Sequence, residues 1–189
     1  SEEIINLNRD KRKLLMDILV GERCKNCQEL NNDYFKKSQN RPVPLGNMAS
    51  DIIFVNKMPT VLECVSYLSH SDAVGHFLML IIKKLGYDPE QFYFTDFIKC
   101  PNKNVTIDSC WECVANYFLK EVHYIKPKAI VFQGLTSIKM LSKDNILLNL
   151  PENIEYGIVY DTYFMSESYP IKVIGIYDLD IFLQKEGED

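Results

Sequence analysis

The sequence predicts an α/β layered domain around a largely parallel central sheet. Two observations carry the prediction. Short runs rich in β-formers alternate several times with longer stretches of helical apolar periodicity, the pattern of strand, loop and helix that stacks helices on a parallel sheet. The chain also has 189 residues, 47% of them hydrophobic, enough to bury one substantial core. One domain spanning residues 1–189 is therefore expected, with ligands at the carboxyl ends of the strands.

Residues from Asn8 to Val20 read as an amphipathic helix, with Leu14, Leu15, Ile18 and Leu19 as its apolar stripe and Gly21 at the stop. Asp51-Ile-Ile-Phe-Val55 is a first strand, and Pro59 begins a loop. From Asp72 to Leu85 apolar residues recur at helical spacing, with Asp72 as N-cap and Gly86 at the stop. Phe92 to Ile98 is a second strand, Asp108 to Ile125 a long helix ending before Pro127, and Ala129 to Phe132 a third strand. A helix containing Ile138, Met140 and Leu141 follows. Asn145 to Pro170 reads as a hairpin or a long loop, Ile171 to Ile176 as the last strand, then a short helix to Gln184 and a disordered acidic tail.

No apolar run approaches the roughly 18–20 residues needed to cross a bilayer, and the polar N-terminal stretch does not resemble a signal peptide, so an intracellular protein without membrane association is expected. A net charge of -5 argues against a nonspecific nucleic-acid coat, while leaving room for a local basic face at Lys36–Arg41, Lys83-Lys84 or Lys99–Asn104.

The six cysteines are better explained by metal, cluster or buried thiols than by disulfides. Cys24 and Cys27 form one C-x-x-C and Cys110 and Cys113 another; Cys100 ends the second strand and Cys64 follows the first. Four thiolates can hold zinc or a cubane cluster. Two C-x-x-C pairs favour zinc, and the cysteine at position 100 shifts the weighing. Cys64 reads as a buried apolar thiol.

The order C-x-x-C, then a strand ending Lys-Cys-Pro, then a cysteine on a helix running to Ile-x-Pro-Lys, resembles the iron–sulfur (family 4) uracil-DNA glycosylases. Further matching stretches are PLGNMASDIIFV, AVGHFLMLIIKKLGYDPEQFYFTDF and YIKPKAIVFQGLTSIKML, so the resemblance covers Cys24 to Leu141. It implies a three-layer α/β/α sandwich with a four-stranded, largely parallel sheet. It also implies a [4Fe-4S] cluster on Cys24, Cys27, Cys100 and Cys113, with Cys110 as the alternative to Cys113 on the same helix face. Zinc is the alternative cofactor. DNA, single-stranded or with one base flipped out, is the implied partner.

The residues that should do the chemistry depart from that pattern. The family's first loop carries an acidic residue where this sequence has Lys57, in Asn56-Lys57-Met58-Pro59-Thr60; a lysine there repels a developing cation. The stacking phenylalanine falls on His70 and the base-reading asparagine on Asp96. An ionised carboxylate only accepts hydrogen bonds, so Asp96 disfavours uracil and suits the amine of cytosine. The closing histidine motif is replaced by Tyr177-Asp178-Leu179-Asp180, and Lys103 stands in a DNA-facing loop where the family has arginine.

Three readings follow. One is a cluster-containing DNA-binding relative without ordinary uracil excision, recruited in replication or repair, with a protein partner surface on the aromatic segment holding Tyr156, Tyr160, Tyr163, Phe164, Met165 and Tyr169. Another is an active glycosylase of altered base choice, with Asp96 reading the base and Glu63 positioning water. A zinc-binding interaction protein is the third reading.

Overall fold

The computed structural model describes residues 2–20, 41–101, 107–165 and 168–184. Its sheet has seven strands: β1 (Leu45–Gly46), β2 (Ile52–Asn56), β3 (Tyr93–Asp96), β4 (Ala129–Gln133), β5 (Leu147–Leu148), β6 (Val159–Phe164) and β7 (Pro170–Ile176). They lie in the order β1-β3-β2-β4-β7-β6-β5. The four central strands β3, β2, β4 and β7 run parallel, and the strands beyond them on both sides are antiparallel. The expected four-stranded parallel sheet is thus the centre of a wider mixed one. The Asn145–Pro170 stretch supplies the extra edge, because β6 folds back on β7 and β5 on β6.

The helices are α1 (Glu2–Val20), α2 (Val61–Ser66), α3 (Ala73–Lys84), α4 (Ile107–Cys113), α5 (Leu119–Ile125), α6 (Thr136–Lys143) and α7 (Asp180–Gln184). A π-helical segment, Val114–Phe118, joins α4 to α5 and begins directly after Cys113. Strand alternation sends successive side chains to opposite faces of the sheet. Ile53, Val55 and Tyr93 face Val114, Phe118 and Val122, whereas Phe54 and Phe94 face Leu78 and Ile82 of α3. Helices therefore cover both faces. Leu14 and Ile18 of α1 pack on Tyr117, adding a layer outside the helix.

The expected helix over 72–85 is observed over 73–84, with the Asp72 side chain capping Gly75 N–H at 2.8 Å. Gly75 is required by packing, since a Cβ there would stand 2.0 Å from the His70 carbonyl oxygen. The loop expected after Pro59 holds a helix instead. Thr60 and Glu63 form a capping box at its start, two reciprocal hydrogen bonds that satisfy otherwise orphaned N–H groups and outweigh the break at Pro59. The expected acidic tail lies outside the described residues.

Candidate functional site

The chain leaves β2 to one side to make β3, then returns to the other side of β2 to make β4, so the strand order reverses between β2 and β4. A crevice opens outside the carboxyl ends at such a point. A cavity of about 420 Å³ lies there, lined by Asn56 to Thr60 after β2, Gln133 at the end of β4, and Asp178 and Asp180 after β7, with Glu63 and Asp72. A larger cavity of about 640 Å³ lies by the amino end of β2, among Ala49, Asp51, Leu85 and Tyr87. The first has the convergent charged groups. Asp178 is raised above the ordinary aspartate value by burial and then by the neighbouring Asp180 carboxylate, while Lys57 pulls it the other way.

Behind the Glu63 and Gln133 wall lies a second group. Asp96, the last residue of β3, is paired in register with Asn56 and is 1% exposed. Ser69 Oγ stands 2.6 Å from Asp96 Oδ2 and 2.8 Å from His70 Nδ1, and His70 Nε2 is 3.4 Å from the Gln133 amide nitrogen. His70, also 1% exposed, has a left-handed backbone (φ 58°) and its ring centre is 5.4 Å from that of Phe94. Glu63 is engaged by backbone donors: Thr60 N–H at 2.7 Å on one oxygen and His70 N–H on the other. Burial pushes Glu63 up to about 7, against its backbone donors and with the Asp72 charge, and pushes His70 down to about 3, helped by the Lys99 charge. Asp96 is raised well above the usual carboxylate range, by burial first and then by Glu63.

On the other side of Asp96 is a buried ion pair. Lys99 Nζ donates to Glu121 Oε2 at 2.6 Å, Thr95 Oγ1 at 2.7 Å and the Asp96 carbonyl at 2.6 Å. Glu121 Oε1 accepts from Tyr93 Oη at 2.9 Å and Thr95 Oγ1 at 2.6 Å. The Lys99 backbone N–H points at Cys113 Sγ, 3.3 Å away. The same residue thus holds the end of β3 and touches the Cys113 thiol.

Residues 43–176 match the family described as Uracil DNA glycosylase superfamily. The chain belongs to that superfamily. A Type-4 uracil-DNA glycosylase of Archaeoglobus fulgidus is 27% identical to it over 124 residues, which cover 63% of this chain and 59% of that protein. The chain thus spans less than two thirds of that relative.

Within this uracil-DNA glycosylase scaffold, Lys57 and Asp178 line the switch-point cavity, whereas Asp96 and His70 are brought together behind its wall. Glu63 joins both sets. Lys103, Cys24 and Cys27 lie outside the described residues. Cys100 and Cys113 are half-buried and Cys110 is buried in the core at 2% exposure. Cys113 Sγ receives a backbone N–H, and Cys100 and Cys113 retain some exposure, both compatible with ligation of the implied group. Burial pushes Cys64 up to about 12, in keeping with an inert core thiol. Among the described residues no helix is long and apolar enough to cross a membrane.

Sequence reasoning missed Ser69, Gln133 and the Lys99–Glu121 pair. Gln133 carried a signal, because it ends a parallel strand just before Gly134. Ser69 carried none beyond its place beside His70. In the aromatic segment, Phe164 is core, while Tyr156 stacks on Tyr177 at 4.4 Å and both are exposed.

Proposed function

We propose that this chain binds DNA, single-stranded or with one base turned out, in replication or repair, and does not carry out ordinary uracil excision. One observation carries the reading. The residues at the base-reading and stacking positions, Asp96 and His70, are 1% exposed each and stand behind Glu63 and Gln133, while Lys57 occupies the cavity edge where an acid would help a developing cation. A [4Fe-4S] cluster on Cys24, Cys27, Cys100 and Cys113 pins the segments that touch DNA. Zinc is the alternative, and colour separates them, since zinc is d¹⁰ and colourless. The exposed Tyr156–Tyr177 pair suits a replication or repair partner.

The test is to incubate anaerobically purified protein with oligonucleotides bearing uracil, cytosine, hypoxanthine and modified bases, scoring alkali-labile breaks and DNA binding in parallel. Binding without breaks is expected. Robust base release would overturn the reading.

A second reading, an active glycosylase with altered base choice, draws on the register of Asp96 with Asn56, a cavity residue. A small opening of the wall would bring the Asp96 carboxyl into the cavity. It requires base release that Asp96→Ala abolishes.

A further inference from the structure

Two buried oxygens, Gln133 Oε1 in the wall of the cavity and Asp96 Oδ1 behind it, have no hydrogen-bond partner among the described residues. A buried acceptor left unmade is destabilising, so each asks for a ligand or an ion. Both belong to residues grouped around the His70 imidazole. We propose that Glu63, His70 and Asp96, with Gln133 as a fourth donor, form a binding site for one divalent first-row metal ion of the Mn²⁺ or Zn²⁺ class.

The three residues each offer a ligand atom within 4.8 Å of the others, and all three are buried. Proton accounting then settles which atoms face the ion. Ser69 has a single hydroxyl proton, 2.6 Å from Asp96 Oδ2. Given to that carboxylate, it leaves Ser69 Oγ to accept from His70 Nδ1–H at 2.8 Å. Nε2 then carries the free lone pair, the tautomer a metal ligand needs, held in place by an outer hydrogen bond. Gln133 already stands 3.4 Å from Nε2 through its amide nitrogen, and turning that amide over exchanges nitrogen for the orphan oxygen. Asp96 contributes Oδ1. Glu63 Oε1 takes one backbone N–H, from His70, which leaves it a lone pair, whereas Oε2 has both the Thr60 N–H and the Thr60 hydroxyl, at 3.3 Å.

Two carboxylates, an imidazole and a carboxamide make a nitrogen–oxygen set, suited to manganese or zinc and unlike the thiolates that hold a cluster. Around these ligands stand Asp72 from the cap of α3, Lys99 and Glu121 from beyond β3, and Cys64. Of these, Lys99 is already paired with Glu121. Entry is through the cavity, which Glu63 and Gln133 line. The ion would tie α2, the His70 turn and the ends of β3 and β4 into one wall.

The test uses the full chain, purified anaerobically, and no DNA, so it stands apart from the question of base excision. MnCl₂ is titrated while the free Mn²⁺ signal is followed by electron paramagnetic resonance, a probe for which thiolates compete poorly. One Mn²⁺ per chain is expected, and at 100 times Kd it should raise the folding equilibrium constant about a hundredfold. Asp96→Asn, close in shape, should weaken binding at least about tenfold, and Gln133→Glu should tighten it by adding a carboxylate. Should Asp96→Asn fail to fold, the direction of the Gln133→Glu change decides alone. Absence of Mn²⁺ and Zn²⁺ binding by the folded chain overturns the proposal, as does binding that neither substitution alters.

Discussion

The two polar clusters that meet at Asp96 are built on opposite terms. Beneath the backbone of β3, the three Lys99 ammonium protons each have an acceptor and Glu121 takes three donors, at 1% and 0% exposure. On the side-chain side, Glu63, His70 and Asp96 leave Asp96 Oδ1 and Gln133 Oε1 without partners among the described residues, at comparable burial. A closed network of that kind rigidifies a strand end; an open one is where ligands and mechanism reside. The comparison separates scaffold from site within one strand, β3, since Thr95 and the Asp96 carbonyl serve the first and the Asp96 carboxyl the second.

The largest effect should come from breaking the closed cluster. Glu121→Ala leaves a buried ammonium without its carboxylate, and such losses cost about 3–5 kcal/mol. Urea denaturation should show a correspondingly lower midpoint, while replacing both partners with apolar residues, Lys99→Met with Glu121→Leu, recovers much of the loss. If the double variant is as unstable as Glu121→Ala, the pair holds the strand end through geometry that packing cannot replace.

The open cluster should show itself through pH. With chelator present, the folded chain keeps Asp96 protonated while the unfolded chain ionises it from its ordinary value of 3.8. The folded state then binds the extra proton, so stability is full below that value and falls by about 1.4 kcal/mol per pH unit as pH rises toward the folded value. Asp96→Asn has no proton to lose. Unfolding free energies of the two proteins, measured from about pH 4 to about pH 7, should therefore draw apart in favour of the asparagine variant. A difference that stays flat would mean that Asp96 is ionised in the native protein even without a bound ion.

The strands that carry both clusters were legible in the sequence, the pairing of the closed cluster was not, and the open cluster was legible only as positions. Alternating strand and helix patterns placed β2, β3, β4 and β7, because each is a short apolar run whose neighbours break it cleanly. Asp72 and Gly86 marked both ends of α3 for reasons local to the chain. Helix α2 was hidden by Pro59, although Thr-Val-Leu-Glu from Thr60 carries the spacing of a capping box. The positions of Lys57, His70, Asp96 and Asp178 could be named, but not that His70 and Asp96 sit behind the wall that Lys57 and Asp178 help to line. That division depends on the left-handed turn at His70 and on Gly75 packing against its carbonyl, which are tertiary facts. Lys99 and Glu121 are 22 residues apart, beyond any periodicity that could pair them.

The smallest effect should come from the cap that closes the open cluster from outside. Thr60 Oγ1 receives Glu63 N–H at 3.3 Å, and Thr60 N–H returns the bond to Glu63 Oε2 at 2.7 Å. Thr60→Ala removes only the first of these and should cost about 1 kcal/mol, whereas Thr60→Ser keeps it and should stay close to the parent. Because Thr60 is exposed, water can take over part of the lost bond, which keeps the cost well below that of Glu121→Ala. Hydrogen exchange reads the difference by place: amides of Val61 to Ser66 should lose protection in Thr60→Ala while those of β3 do not. Loss of protection in β3 as well would show that α2 and the strand end open as one unit, and that the wall around Asp96 is held by its cap as much as by the ion pair behind it.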